Sequence, residues 1–172
     1  GNEKPSLEQV SLNKTAGVIA AKHNDLGTWR FSASKAHDLL FTNNETNNER
    51  LWGSSNLSAY VKDGINDFIV QGRKDAVNPE KTGTKAAAHY KITIGAGKSE
   101  IVCLRLSKST GLKETAEGSA SFGKGFDSMF KLRQKEADAF YGSIIPESIG
   151  PDAANVMRQA LAGMLWSKQF FN

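Results

Sequence analysis

The side chains best suited to chemistry lie in one stretch, residues 43–78. This stretch combines carboxylates, amides and guanidinium groups with the aromatic rings of Trp52 and Tyr60. Carbohydrate sites use this combination, because rings cover the apolar faces of a sugar while polar groups bond its hydroxyls. The stretch also contains Asp67 and Phe68. The candidate residues for a substrate-side site are Glu45, Asn47, Glu49, Arg50, Trp52, Tyr60, Lys62, Asp63, Arg73, Lys74 and Asp75.

Three interpretations of this stretch stay open at the level of the sequence. In the first, ion pairs and ring packing hold a long loop against a sheet, since long loops are usually functional or packed against something. In the second, the polar groups face a sugar. In the third, two carboxylates act as the acid and base of glycosidic hydrolysis. The residues favour the structural interpretation over the ligand-binding one, and both over catalysis.

Other groups with chemical potential are isolated along the chain. His23, His37 and His89 lack the spacing of metal ligands, so we expect ordinary histidines and no metal site. Cys103 has no neighbouring base in the sequence, which favours a small buried side chain over a nucleophile. Residues 95–97 (Gly-Ala-Gly) form a connector that no helix follows, so they are not a phosphate loop. We therefore expect no cofactor.

Composition excludes several classes of protein. The net charge of +4 is spread along the chain among acidic residues, which argues against a nucleic-acid partner. No apolar run approaches the roughly 20 residues needed to cross a bilayer, so we expect no membrane partner. A single cysteine rules out an internal disulfide and slightly favours the cytoplasm over an oxidising compartment.

The first part of the chain is predicted to be β. Residues 16–22 and 28–32 are short, apolar segments around a turn, and they predict a β-hairpin. Residues 39–41 predict a third strand. A long irregular segment, residues 42–85, then carries too many large apolar groups for a linker, and residues 60–70 within it suit a short helix or strand.

A second hairpin is predicted from residues 88–94 and 101–106, where apolar and polar residues alternate. Alternation of this kind is typical of an antiparallel sheet in a sandwich, with one face buried. We therefore expect residues 1–106 to form part of a β-sandwich. The side chains predicted to share its buried face are Tyr90, Ile92, Ile94, Val102, Leu104 and Leu106.

The last part of the chain is predicted to be helical. Residues 107–149 read as a Gly- and Ser-rich linker with a helix at 126–144, where apolar residues recur at helical spacing. A second helix is predicted within residues 150–172. Pro151 suits its first turn, and the helix continues through Phe170 and Phe171. It is apolar over more than half of its circumference, so we expect it to belong to a helical assembly that this chain does not contain.

Several stretches resemble the bacterial branch of glycoside hydrolase family 63, the family of processing α-glucosidase I. They read LLFTNNETNNERLWG, AYVKDGINDFIVQGRKDAVNPEKTGTKAAAHYKI, KEADAFY and NVMRQALAGMLWSKQF, and the likeness runs from about residue 17 to residue 171. The resemblance implies an N-terminal β-sandwich, a linker helix and then an (α/α)6 barrel that cleaves α-glucosidic bonds with inversion. On that plan, residues 150–172 are the first barrel helix.

The resemblance also implies that the catalytic carboxylates lie in a barrel absent from this chain, so no residue here inherits a catalytic role. We expect a non-catalytic fragment of an inverting α-glucosidase, acting on α-glucosides or oligosaccharides, whose partners are the rest of the enzyme and carbohydrate. We also expect self-association through the last helix. The alternative is a stand-alone carbohydrate-binding or protein-interaction β-sandwich module.

Overall fold

A computed structural model describes residues 4–109 and 121–167 of the chain. The chain divides into two compact units, residues 1–123 and residues 124–172. The first unit holds the strands and the second holds two helices, so the architecture is an antiparallel β structure followed by helices, as the sequence predicts. The strands are β1 Ser6–Leu12, β2 Ala16–His23, β3 Gly27–Ser34, β4 Asp38–Thr42, β5 Thr82–Gly83, β6 Lys85–His89 and β7 Leu104–Lys108.

The strands form two antiparallel sheets. A five-stranded sheet has the order β5-β1-β2-β3-β7, and a two-stranded sheet pairs β4 with β6. The predicted hairpin of β2 and β3 is confirmed, with Ile19 opposite Phe31 and His23 opposite Gly27 at its closed end. Gly27 has a φ of +76°, which lies in the left-handed region that glycine adopts without a Cβ penalty. The predicted third strand is also confirmed as β4, although it belongs to the second sheet.

The core lies between the two sheets. Ile19 and Ala33 of the larger sheet form one buried cluster with Leu39 and Phe41 of β4. Phe41 lies opposite Ala86 and Leu39 lies opposite Ala88, so each large side chain of β4 is paired with a small one on β6. Alternate residues of a strand share one face, so Leu39 and Phe41 both lie in the core. The small alanines opposite them leave room for these two large side chains.

The predicted hairpin of residues 88–94 and 101–106 is wrong. β6 ends at His89 and pairs with β4, whereas β7 pairs with β3 in the other sheet. The predicted buried face is also wrong, because its apolar side chains are exposed, with Tyr90 the half-buried exception. Alternation shows which side chains share a face of a strand. It shows neither the partner strand nor whether a layer covers that face. The exposed members are Ile92, Ile94, Val102, Leu104 and Leu106.

Cys103 is half-buried, and its backbone N–H donates to Ser34 Oγ at 2.9 Å. Residues 107 and 108 belong to β7 rather than to the linker. Residues 110–120 of the predicted linker lie outside the described residues.

The second unit contains α3 Lys124–Ile144 and α4 Pro151–Trp166, close to the predicted bounds. Pro151 occupies the first turn of α4 after Gly150, as predicted. Arg158 of α4 links the helices, since its Nη1 lies 2.7 Å from Asp138 Oδ1 and its Cζ lies 4.8 Å from the Tyr141 ring centre. Phe170 and Phe171 lie outside the described residues, and the assignment of α4 to a barrel stays a prediction.

Neither long helix can span a membrane, since within residues 4–109 and 121–167 no helix is both long and apolar enough to do so.

The core assignment predicts unequal costs of truncation. Phe41 is fully buried, so Phe41→Ala should lower the free energy of unfolding by roughly 3–5 kcal/mol. Ile92 is 44% exposed, so Ile92→Ala should lower the free energy of unfolding by well under about 1 kcal/mol. Urea unfolding of the two variants measures both values. Equal costs would mean that residues 90–94 belong to the core after all.

Tyr90 predicts an alkaline transition. It packs against the core, and burial raises the pKa of its phenol above the ordinary value, with the nearby Cys103 charge adding to the effect. Because the pKa is raised in the folded state, the neutral phenol stabilises the fold. This contribution to the free energy of unfolding is complete below about pH 10 and is lost as the pH rises further. Absorbance titration of the three tyrosines should show one late phenolate that Tyr90→Phe removes. A late phenolate that persists in Tyr90→Phe would contradict this assignment.

Candidate functional site

The stretch that the sequence selects is folded tightly onto β4. It contains α1 Asn48–Trp52, α2 Gly64–Gln71 and a short 3₁₀ helix, Lys74–Ala76. Two backbone hydrogen bonds, each 2.8 Å long, hold it in place. Asn43 N, at its start, donates to Tyr60 O, and Asn78 N, at its end, donates to Phe41 O of β4. The stretch is therefore an ordered insertion between β4 and β5, and α2 is the short element predicted at residues 60–70.

Asn47 positions α1 against α2. It caps α1 by accepting a hydrogen bond from Arg50 N on Oδ1 at 3.0 Å. Its Nδ2 donates to both carboxylate oxygens of Asp63, the N-cap residue of α2, at 3.2 and 3.1 Å. One amide thus fixes the start of one helix and joins it to the start of the next.

Gly64 lets α2 approach the 3₁₀ helix closely. A Cβ on this residue would lie 2.1 Å from Ala76 O, a backbone atom that has no room to move aside. Only glycine allows this contact, so Gly64 sets the distance between the two elements.

Charged groups of the insertion meet at Asp67. This residue of α2 is 3% exposed. Arg50 bridges it to Asp63, with Nη2 donating to Asp67 Oδ2 and Nη1 donating to Asp63 Oδ2. Arg73 Nη1 lies 3.6 Å from the same Asp67 oxygen. The hydrogen bond to Asp67 and the charge of Asp63 raise the pKa of Arg50, so its guanidinium stays charged.

Arg73 also forms a second, exposed pair. Its Nη2 donates to Asp75 Oδ2 at 3.0 Å. This hydrogen bond, together with a backbone hydrogen bond, lowers the pKa of Asp75 below its ordinary value. The carboxylate is therefore a poor candidate for a general acid, which needs a raised pKa.

A cleft of about 470 Å³ opens over this network. The apolar residues of its lining are Ala59, Val61, Gly64 and Ala76. Its polar groups are Asn47, Glu49, Arg50, Asn56, Asp67, Arg73 and Asp75. The cleft thus combines an apolar patch with hydrogen-bond donors and acceptors, as small-molecule sites do.

The predicted site residues fall into two groups, those that line the cleft and those that lie outside it. Those that line the cleft are Asn47, Glu49, Arg50, Arg73 and Asp75. Asp63 contacts the network from outside the cleft through Arg50. Those found elsewhere on the insertion are Glu45, Trp52, Tyr60, Lys62 and Lys74.

The residues outside the cleft have other positions. Glu45 pairs with Lys4, and Lys62 Nζ donates to Thr46 Oγ1 at 3.1 Å, so both hold the insertion in place. Lys74 is exposed at the start of the 3₁₀ helix. These contacts agree with the structural interpretation of this part of the stretch.

The predicted aromatic contribution to the site does not form in the cleft. Trp52 is 69% exposed at the end of α1, and Tyr60 lies on the strand side, where its carbonyl accepts from Asn43. The Phe68 ring lies 6.1 Å from the His89 ring, edge to face, so it packs toward β6. The reason is that α2 turns one face to the sheet, and its aromatic side chain lies on that face.

Asp67 belongs to the stretch selected from the sequence but not to the candidate site residues, and Asn56 is not predicted at all. Asp67 lies four residues after Asp63 within a segment predicted as helix or strand, and on a helix this spacing places both carboxylates on one face. That spacing was the available signal. Asn56 is in an irregular segment, where it reaches Asn47 and accepts from Glu49 N at 3.1 Å, and no local pattern marks it.

The described residues offer no metal centre. Within residues 4–109 and 121–167, no three His, Cys, Asp or Glu side chains are grouped so as to hold an ion. His37 and His89 do meet, with ring centres 5.8 Å apart, but they lack further ligands of this kind nearby.

Comparison with known proteins finds one curated relative at significant similarity. It is the uncharacterized protein YMR196W of Saccharomyces cerevisiae, 41% identical over 139 residues, which are 78% of this chain and 13% of the yeast protein. The chain thus spans about one-eighth of the length of that protein. No protein-family profile matches the chain, and no solved structure is significantly similar to it. The yeast protein is uncharacterized, so the likeness transfers no activity.

The geometry predicts that the two ion pairs of the site contribute unequally to stability. Removing Arg50 leaves the buried Asp67 with one guanidinium at 3.6 Å, whereas Arg73 and Asp75 are exposed and remain hydrated when separated. In double-mutant cycles, the coupling between Arg50→Ala and Asp67→Ala should exceed that between Arg73→Ala and Asp75→Ala. Unfolding free energies in urea give both couplings. A larger value for the exposed pair would show that Asp67 does not depend on Arg50.

Proposed function

We propose that this chain is a non-catalytic segment of a longer inverting α-glucosidase similar to glycoside hydrolase family 63. Its insertion contributes to carbohydrate recognition, and α4 is the first helix of the barrel that carries the chemistry. The resemblance covers nearly the whole chain, and the order of β structure followed by two helices agrees with it. The yeast relative is much longer than this chain, which fits a segment of a larger enzyme.

The observation that carries the non-catalytic role is the pairing of three carboxylates of the insertion with guanidinium groups. Asp63 and Asp67 both contact Arg50, and Asp75 contacts Arg73. Inverting hydrolysis needs one carboxyl group that holds a proton and one that activates water. The hydrogen bond from Arg73 lowers the pKa of Asp75, which opposes the protonation that an acid catalyst needs. These groups suit hydrogen bonding to a substrate better than acid catalysis.

The source gene separates this proposal from a stand-alone binding module. A reading frame that continues for several hundred codons beyond the segment encoding residue 172 supports the enzyme. A stop codon at that point would favour the module.

We expect the isolated chain to have no glycosidase activity. Incubation with α-linked glucose disaccharides and with a chromogenic α-glucoside should release no glucose or chromophore above the buffer rate. The matched variants are Glu45→Gln and Asp63→Asn, which should behave like the parent chain. Turnover that either variant abolishes would overturn the non-catalytic assignment.

We also expect the chain to self-associate through α4. Met164, Leu165 and Trp166 are each more than half exposed, and large apolar patches are rare on soluble monomers. Leu165→Lys should shift the population toward monomer, whereas Lys131→Glu on α3 should not. Sedimentation velocity over a range of concentrations measures the distribution. A monomer at every concentration would contradict the expectation.

A further inference from the structure

We propose that a second cleft, the lysine cleft, binds the phosphate group of a small phosphate monoester. It has a volume of about 440 Å³ and is lined by residues 12–14, 35–37 and 90–92. Residues 12–14 lie at the end of β1 and in the turn to β2, residues 35–37 connect β3 to β4, and residues 90–92 follow β6. The argument uses these residues alone and does not depend on the proposed function.

Backbone hydrogen bonds tie the three segments of the lysine cleft together. Lys35 N donates to Thr15 O at 2.9 Å, which joins the two turns. His37 N donates to His89 O at 2.8 Å, which joins the second turn to β6. Within the first turn, Asn13 Oδ1 accepts from Thr15 N at 2.9 Å. The backbone that carries the lysines is therefore held in one arrangement.

The lysine cleft carries an excess of positive charge. Lys14, Lys35 and Lys91 line it, and no carboxylate is among the lining residues that the structure describes. Lys14 and Lys91 form no ion pair with residues 4–109 or 121–167. The charged partner of Lys35 is Glu100 at 3.6 Å, and both side chains are exposed, so this pair is weak. A phosphate monoester, which carries about two negative charges at neutral pH, balances the remaining charge better than a carboxylate does.

The backbone of Lys35 independently indicates a role for its side chain. Its φ of +52° lies in the left-handed region, which is unfavourable for a residue with a Cβ and which glycine adopts readily. Lys81 has a similar φ of +55°, but its Nζ donates to Asp38 Oδ1 and Leu39 O, so contacts within the fold account for that lysine. Lys35 makes only the weak pair with Glu100. A ligand in the cleft supplies the reason for a lysine at this strained position.

The lining side chains suit a phosphate group attached to a compact body. Each lysine carries three N–H donors, and the His37 imidazole adds another donor. Charged donors form strong hydrogen bonds with phosphate oxygens. The volume falls within the range of small-molecule sites and leaves room for a body beside Ile92, which is 44% exposed, and the half-buried Tyr90. The Tyr90 hydroxyl is buried near Cys103, so it does not contribute to binding.

The test is a titration of the isotope-labelled full chain with phenyl phosphate, followed by ¹⁵N–¹H correlation spectra. Sodium chloride holds the ionic strength constant, so that general screening does not change during the titration. We expect saturable shifts for the amides of residues 13–16, 35–37 and 90–92, with a dissociation constant in the millimolar range. Inorganic phosphate should shift the same amides with lower affinity, because it lacks the body that contacts Ile92.

Two variants distinguish binding from folding. Lys35→Gly removes the charge and relieves the strained backbone, so it should weaken phosphate binding without lowering the midpoint of urea unfolding. Lys14→Gln removes an exposed charge without an ion pair, so it should retain the parent spectrum and weaken binding about fivefold. Lys131→Gln removes the same charge from α3, where it is exposed, and is the matched control that should bind like the parent.

Three outcomes would overturn the proposal. The first is equal affinity of the parent, both cleft variants and the control for phenyl phosphate. The second is an equal response of the cleft amides to sodium chloride alone. The third is tighter binding to vesicles that contain phosphatidic acid than to phenyl phosphate, which would assign the lysines to a membrane surface. None of these measurements involves glycosidase activity, so the result is independent of the proposed function.

Discussion

A buried carboxylate, that of Asp67, is the constraint on which the arrangement of the insertion depends. A charge removed from water needs a partner in contact, because an unpaired buried ion costs several kcal/mol or more. Arg50 reaches it from α1 and Arg73 reaches it from the segment after α2. Each of these elements is too short to hold its place by its own hydrogen bonds. The Asn47 cap and the Gly64 contact fix their positions, so the charge network and the local backbone stabilise each other.

The insertion is anchored on β4, a strand that is buried on both faces. Leu39 and Phe41 enter the core, while Leu40 and Thr42 are fully buried on the opposite side. Thr42 lies beneath Gly64, since a Cβ built on that glycine would come within 3.5 Å of its methyl group. A strand covered on both sides holds the cleft more precisely than a free loop would. The candidate site therefore depends on the core for its geometry, and the buried Val61 belongs to both.

Local features of this fold could be predicted from the sequence, and long-range ones could not. The β2–β3 hairpin needs only two apolar segments and a turn ending at Gly27, and α4 needs only Pro151 and helical spacing. β6 pairs with β4, which lies more than forty residues earlier in the chain, and no local pattern encodes this pairing. The same holds for the site. A local stretch marks its residues, but contacts between elements decide that Arg50 enters the cleft and Trp52 does not.

Large apolar side chains are distributed unevenly along the described chain. The buried apolar core residues lie between Ala16 and Val77, whereas Ile92, Leu106 and the apolar residues of α4 are largely exposed. Each Å² of apolar surface left in water forfeits about 25 cal/mol, so these side chains add little to the stability of the described chain. Core residues and ion pairs within the first unit position the polar cleft over Asp67. The cleft therefore takes its geometry from buried residues of the first unit and does not depend on the exposed apolar side chains of α4.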